Sequence, residues 1–248
     1  MKKFLLCAVS AAALLGPGAA FGADLPIKAP PLVAAPAPWS WTGLYVGGHL
    51  GSGWGTKEWA NDCDPTGCST GALASGTVNG FLGGFQAGYN YQINWVVVGI
   101  EGDFSFANVS GSYPCFGGSS CTSKADWFAT LTGRIGGTVD HALLYLKGGV
   151  AWAHDKYSEA CSDCSSNDGF ATFSGGETRT GWTVGAGVEY AFTRNWSGKL
   201  EYDYMDFGTR SVTFTSDVPS RFSPYTVDIL QRVHAVKAGV NYKFDWGR

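Results

Sequence analysis

The feature that most constrains this chain is the alternation of apolar and polar residues along eight segments. In one of them, Val98 and Ile100 fall on one face while Glu101 and Asp103 fall on the other. A period of two is typical of β-strands with a single apolar face. The segments are 42–54, 78–91, 95–106, 125–139, 142–154, 179–192, 196–207 and 232–246. Eight one-sided strands require a sheet that closes on itself, so we predict an all-β protein, an eight-stranded antiparallel up-and-down β-barrel.

Alternation alone does not tell whether the apolar face points into the barrel or out of it. A water-soluble barrel turns its apolar side chains inward, whereas a membrane barrel turns them outward. Segments of about 12 to 15 residues exceed the roughly 5 to 6 of typical globular strands and are long enough to cross a bilayer at a tilt. Tryptophans also collect at both ends of the segments, as in the aromatic girdles of membrane barrels: Trp41, Trp95, Trp196 and Trp246 at one end, Trp54, Trp127, Trp152 and Trp182 at the other. Both observations favour a transmembrane barrel.

The N-terminus has the pattern of an export signal. Lys2 and Lys3 precede an uncharged apolar run that ends in the small-x-small site 20–22. We therefore expect residues 1–22 to be a cleaved signal peptide. Residues 23–40 hold five of the ten prolines and predict an extended, Pro/Ala-rich periplasmic leader. The barrel is then expected to occupy residues 41–248.

The charge balance argues against one class of partner. Removing residues 1–22 takes away two of the 17 lysines and arginines and none of the 20 acidic residues, which leaves a net charge of −5. A protein that binds nucleic acid usually carries a basic surface. No nucleic-acid partner is expected.

Six of the seven cysteines form three tight pairs within polar stretches: Cys63 with Cys68, Cys115 with Cys121, and Cys161 with Cys164. An even number of cysteines in an exported chain predicts disulfides. The third pair also has the CxxC spacing of redox and zinc motifs, but no helix pattern follows it and no second CxxC exists. We therefore expect each pair to be a local disulfide within a loop.

The lengths of the connections predict the orientation of the barrel. Short turns near 92–94, 140–141 and 194–195 should face the periplasm, and the long polar loops 55–77, 107–124, 155–178 and 208–231 should face outward. With an even number of strands, both ends of the barrel then lie on the periplasmic side. The three disulfides would pin the extracellular loops.

Charged residues on the polar face of the strands should point into the barrel. An eight-stranded barrel is only wide enough for side chains to fill its interior, so opposite charges should pair across the lumen. This favours a plugged core over a conducting pore. The expected lumenal charges are Glu101, Asp103, Asp126, Arg134, Lys147, Glu189, Lys199, Glu201, Asp203, Lys237 and Lys243.

Two stretches resemble a known family. The sequence WSWTGLYVGG at 39–48, after the Pro/Ala leader, and VKAGVNYKF at 236–244 look like the small outer-membrane barrels of Brucella and Bartonella relatives. The resemblance implies a location in the outer membrane of a Gram-negative bacterium, among its lipid and lipopolysaccharide. It also implies recognition by the barrel assembly machinery through the last strand, where Phe244 supplies the final aromatic residue although residues 245–248 extend beyond it. Members of this family are described as porin-like surface antigens and, in some cases, hemin-binding proteins.

Three functions follow as hypotheses. The leading one is a structural, surface-exposed outer-membrane barrel or a narrow porin. The second is a receptor for hemin or a host ligand at the loops, with His154 and Tyr157 nominated at the rim against the simpler reading of a solvated histidine. The third, a lipid-modifying enzyme, needs an apolar pocket and a placed Ser/His pair, which a charged interior disfavours. We expect no catalytic residues, no metal site and no cofactor other than hemin.

Overall fold

This computed structural model describes residues 39–64, 67–115, 119–161, 170–219 and 223–244. The expected signal peptide, the leader up to residue 38 and residues 245–248 lie outside this range. Within it, no helix is long and apolar enough to cross a membrane. The chain forms eight strands: β1 (Gly43–Asp64), β2 (Gly67–Ile93), β3 (Val96–Pro114), β4 (Ser120–Val139), β5 (Ala142–Cys161), β6 (Ala171–Ala191), β7 (Trp196–Ser216) and β8 (Tyr225–Lys243).

The strands form the closed antiparallel barrel that the sequence predicts. Each strand pairs with its sequence neighbours, and β1 pairs with β8 to complete the ring. Following register partners once around the ring from Gly43 leads back to β1 at Gly53, a stagger of ten residues. With ordinary strand spacings, this stagger gives a strand tilt of roughly 40° and a backbone radius of about 8 Å.

The periplasmic turns are short, as predicted. Ile93 pairs with Val96 and Val139 pairs with Ala142, so two residues connect each of these hairpins. Asn94 and Asp140 open the two turns with φ values of 56° and 51°. Asn and Asp tolerate this left-handed conformation better than other non-glycine residues do.

The extracellular side differs from the sequence prediction. Most of the segments expected to be long loops are strand, because β1 and β2 continue to Asp64 and from Gly67, and the other hairpins lengthen in the same way. We call the strand regions beyond the outer tryptophans the extracellular extension: 56–79, 108–125, 155–180 and 207–232, within the described residues. In these regions the apolar residues face inward and the polar residues face outward, which is the reverse of the membrane part. A sequence pattern with an apolar outward face therefore does not identify them as strands.

In the membrane part, the outward face is apolar and exposed, as the transmembrane reading requires. From Leu44 to Trp54 this face covers about 25 Å at a tilt of roughly 40°, close to the height of a membrane barrel's apolar band. Its members include Leu50, Phe81, Phe85, Ile100, Leu131, Ile135, Leu144, Leu146, Val184, Leu200 and Val240. Trp95 and Trp196 border the band on the periplasmic side, and Trp54, Trp127, Trp152 and Trp182 border it on the outer side. Trp41 instead lies buried inside the barrel, and Trp246 is outside the described residues.

In the extracellular extension, apolar side chains point inward and pack with one another. The outermost group surrounds Trp59, which lies 5.3 Å from Phe214 and 5.7 Å from Tyr157 between ring centroids. Next to it, a middle group contains Phe207 together with Phe128 and smaller residues. A separate apolar group around Trp41 lies at the opposite, periplasmic end of the barrel. The extension is therefore built like a water-soluble barrel, with inward apolar groups that surround a few buried polar residues.

Disulfides lie at the tips of two hairpins, as predicted. Cys63–Cys68 closes the β1–β2 hairpin and Cys115–Cys121 closes the β3–β4 hairpin. Cys161 is also disulfide-bonded, and Cys164 lies outside the described residues. At the first tip, burial raises the pKa of Asp62, and the nearby carboxylates of Asp64 and Glu159 raise it further.

The aromatic interior should decide the stability of the extension. Phe214 is fully buried, so Phe214→Ala leaves a cavity and should lower the local free energy of opening by about 3–5 kcal/mol. Hydrogen exchange read by mass spectrometry should speed up in 207–216 and 225–232 while 196–204 keeps its protection. Phe106→Ala, at a lipid-facing position, is the matched control. Unchanged exchange in the extension of Phe214→Ala would contradict the packed interior.

Candidate functional site

The centre of the membrane part holds a group of charged side chains that we call the lumenal cluster. Each member lies on the inward face of its strand because it follows the same period-two alternation that turns its neighbours to lipid. All are at most 7% exposed. The members are Glu101, Asp103, Arg134, Lys147, Glu189, Lys199, Glu201, Asp203 and Lys237.

Lys147 occupies the middle of this cluster. Its Nζ lies 2.7 Å from Glu201 Oε1 and 3.3 Å from Asp203 Oδ1. Two further carboxylates, those of Glu101 and Asp103, lie 3.5 and 3.7 Å away. One ammonium group is therefore surrounded by four carboxylates, two from β3 and two from β7.

Two more lysines approach the same carboxylates, so that three ammonium groups face four carboxylates. Lys237 Nζ lies 2.6 Å from Asp203 Oδ2 and 3.3 Å from Asp103 Oδ1. Lys199 Nζ lies 3.0 Å from Glu101 Oε1 and 3.3 Å from Glu201 Oε2. Lys199 on β7 and Lys237 on β8 both contact carboxylates of β3, which is a neighbour of neither strand. The cluster consequently connects opposite walls across the lumen.

Arg134 forms the periplasmic side of the cluster. Its guanidinium donates to Glu189 Oε2 at 3.1 Å and to Asn90 Oδ1 at 2.8 Å. It also lies between two tyrosine rings, 4.9 Å from the centroid of Tyr45 and 4.8 Å from that of Tyr145. A buried guanidinium with carboxylate, amide and aromatic partners has its donors well satisfied.

The two halves of the barrel contribute matching parts. Tyr45 donates to Glu101 at 2.8 Å, and Tyr145 donates to Glu201 at 2.7 Å. These pairs lie on β1 and β3 and on β5 and β7, so each residue lies four positions around the eight-stranded ring from its counterpart. The cluster therefore has approximate two-fold symmetry about the barrel axis, a feature that the sequence analysis missed.

Glycines make room for the two tyrosines. A Cβ on Gly88 would lie 2.3 Å from the Tyr45 hydroxyl, and one on Gly187 would lie 2.5 Å from the Tyr145 hydroxyl. Both distances are far below van der Waals contact. In a barrel of about 8 Å radius, glycine opposite a large side chain is what lets the ring lie along the wall.

A hydrogen-bonded group beside the cluster has the order of a catalytic triad. His49 Nε2 lies 2.8 Å from Ser105 Oγ, and His49 Nδ1 lies 2.5 Å from Gln86 Oε1. Gln86 in turn donates to Asn241 Oδ1 at 2.8 Å. Ser105 and His49 are only 2% and 4% exposed. The arrangement satisfies buried polar atoms, as a filled interior requires.

Two of the expected lumenal charges lie elsewhere. Asp126 is on the outer face, because a β-bulge between Ala125 and Trp127 shifts the alternation of β4. Lys243 is at the periplasmic end, where its ammonium lies 4.3 Å from the Trp39 ring centroid and donates to the Ser40 carbonyl. A period of two continued through the bulge predicts an inward Asp126, and this prediction was wrong.

The nominated ligand pair is not brought together. His154 faces outward, where it stacks on Trp127 and approaches Thr178, whereas Tyr157 is buried inside the barrel. On a regular strand, two residues that are three positions apart point to opposite faces. A single hemin cannot contact both residues, so the pairing was wrong, while hemin binding itself stays a prediction.

A second buried ion pair lies in the extracellular extension, where the sequence analysis expected loops. Lys57 Nζ lies 2.7 Å from Asp155 Oδ1 and 3.2 Å from the Tyr157 hydroxyl. Arg179 donates to the Ile229 carbonyl at 3.1 Å. A period of two that continues through 55–59 and 153–157 places Lys57 and Asp155 on the inward face. The sequence therefore carried a signal for this pair.

Together the closed ring, the lipid-facing band and the two aromatic borders define an outer-membrane β-barrel. The family model for the outer membrane protein beta-barrel domain matches residues 31–244. The chain belongs to this family, and its location is the outer membrane of Gram-negative bacteria.

Relatives extend over nearly the whole chain. The 31 kDa outer-membrane immunogenic protein of Brucella melitensis is 36% identical over 98% of this chain and 100% of the relative. The 22 kDa outer membrane protein of Rhizobium leguminosarum is 30% identical over 83% of this chain and 79% of the relative. The crystal structure of OprG from Pseudomonas aeruginosa is 14% identical, with a TM-score of 0.43 over 82% of this chain and 96% of that chain, too distant a likeness to carry a functional argument.

Removing the central ammonium should destabilise the barrel. Lys147→Met leaves four buried carboxylates with less compensation, so the free energy of unfolding should fall by about 3–5 kcal/mol. Urea titration in phospholipid vesicles, followed by heat-modified gel mobility, measures the change. Lys156→Gln, at an exposed ion pair, is the control and should cost less than about 1 kcal/mol. Equal stability of the two variants would contradict the role of the cluster.

Proposed function

We propose that this protein is a non-conducting structural barrel that presents a rigid β-extension at the cell surface. The observation that carries the proposal is the filled lumen. Nine charged side chains of the lumenal cluster pair across the interior, and each is at most 7% exposed. A conducting pore instead needs a continuous hydrated path lined by accessible groups.

The layers above and below the cluster support the same conclusion. Trp41 and Tyr145 belong to the apolar group at the periplasmic end. Phe128, Phe207 and their neighbours lie on the extracellular side, followed by the aromatic group around Trp59. An ion that crossed the lumen would have to displace apolar groups as well as break buried ion pairs, and both steps cost free energy.

The extension supports a role in surface presentation. From Trp54 to Cys63, β1 rises roughly 20–25 Å above the outer aromatic border at the tilt of the barrel. The disulfides at the tips close short hairpins on a paired, packed framework. The tips are thus held at a fixed height and orientation, which suits contact with molecules outside the cell. Relatives that carry the name immunogenic outer-membrane protein are consistent with such exposure.

Single-channel recording tests the closed lumen against the narrow-porin alternative. Refolded protein with intact disulfides should give no reproducible current steps in planar bilayers. If steps appear, the same recording on Lys147→Met decides their origin. Steps whose size changes in this variant would pass through the lumen and refute the proposal. Steps that are identical in both proteins would come from another species in the preparation.

We also propose that the barrel is not an enzyme, although Ser105 and His49 are hydrogen-bonded. Acyl transfer would require substrate within reach of the Ser105 hydroxyl, and the hydroxyl is enclosed by the barrel. Micelle-reconstituted protein should therefore show no hydrolysis of fluorescent phospholipid above that of Ser105→Ala. Hydrolysis by the parent protein that Ser105→Ala abolishes would make the group catalytic.

A further inference from the structure

Two exposed lysines form an unusual pair on the outer wall, just above the outer aromatic border. Lys124 on β4 and Lys156 on β5 are direct register partners. Their side chains are 47% and 65% exposed. Like charges directly opposite each other destabilise a sheet. Such a pair is therefore a place where an anion would be favoured.

The local counter-charge is incomplete. Asp126 Oδ1 lies 3.6 Å from Lys124 Nζ, and Asp126 Oδ2 lies 2.6 Å from Lys156 Nζ. One carboxylate thus serves two ammonium groups and leaves an excess of one positive charge. The β-bulge is what places this carboxylate on the outer face. On β7 and β8, by contrast, Arg232 has the carboxylate of Asp206 at 3.3 Å.

Aromatic groups lie directly below the lysines. Trp127 and His154 are register partners whose rings stack at 6.0 Å between centroids and 9° between planes. Thr178 on β6 lies within hydrogen-bond distance of His154 Nδ1, at 3.0 Å. Indole rings mark the level where hydrocarbon meets headgroups. The ammonium groups, on residues two positions beyond His154 on β5 and three positions before Trp127 on β4, are therefore at headgroup level in the outer leaflet.

We infer that the patch formed by Lys124, Asp126, Trp127, His154 and Lys156 binds the phosphate of a phosphorylated glycolipid of the lipid A type. A phosphate monoester carries about −1.5 to −2 charges and three strong acceptor oxygens, which match two ammonium donors. The acyl chains of the same molecule would lie along the adjoining apolar band. This attachment holds the phosphate at a high local concentration, which a free phosphate ion lacks.

The test uses the barrel in nanodiscs of phosphatidylcholine, titrated with lipid A that has two, one or no phosphate groups and the same acyl chains. Bound lipid is counted by native mass spectrometry. Affinity should fall as phosphates are removed. Lys124→Gln and Lys156→Gln should each weaken binding of the two-phosphate form about fivefold. Asp126→Asn, which removes the competing carboxylate, should strengthen it.

The double variant Arg210→Gln/Arg232→Gln is the matched control, because it removes two positive charges from exposed positions on β7 and β8. It should change lipid binding less than about twofold while Lys124→Gln/Lys156→Gln loses roughly 25-fold. Heat-modified gel mobility confirms that each variant is folded. Equal losses in the two double variants, or binding that ignores the phosphate count, would overturn the site. Displacement of lipid A by millimolar inorganic phosphate would overturn its assignment to a lipid.

Discussion

Closure of eight strands with a stagger of ten residues is the constraint on which the rest of this structure depends. A backbone radius of about 8 Å leaves no room for bulk water once side chains enter from both walls. Every inward polar group must therefore find a partner within the protein. Lys147, with four carboxylates within 3.7 Å, shows how far this sharing goes. Glycines lie opposite Tyr45 and Tyr145 because the same small radius leaves no room for a Cβ beside the two rings.

The same strands serve two solvents in succession. In the membrane part the outward face must be apolar, because lipid surrounds it, and the polar residues collect inside. Beyond the outer tryptophans water surrounds the barrel, so the apolar residues turn inward around Trp59 and Phe214. The same strands run through both regions, with the β6–β7 pairing interrupted between Ser174 and Trp182. The polarity of their two faces reverses near the membrane border. The reversal gives the extension its own packed interior.

Charge is distributed by the same logic. Inside, carboxylates and cations pair across the lumen and connect opposite walls. At the membrane border, the β-bulge of β4 turns Asp126 outward beside Lys124 and Lys156 and leaves a positive excess that faces the headgroups. The proposed non-conducting role and the proposed lipid site both follow from this distribution of charge.

The sequence by itself determined the strand number, the closure, the membrane crossing and the periplasmic turns, because a period of two with an apolar face is a local property. It also indicated most of the residues that the structure places in the lumenal cluster. The tertiary structure decided the rest. A bulge reverses the alternation at one residue, which moved Asp126 outside, and the change of solvent along each strand turned expected loops into paired β-structure. Pairings such as Arg134 with Tyr45 and Lys199 with Glu101 join strands that are not neighbours, and only the stagger of the ring fixes which inward side chains share a level.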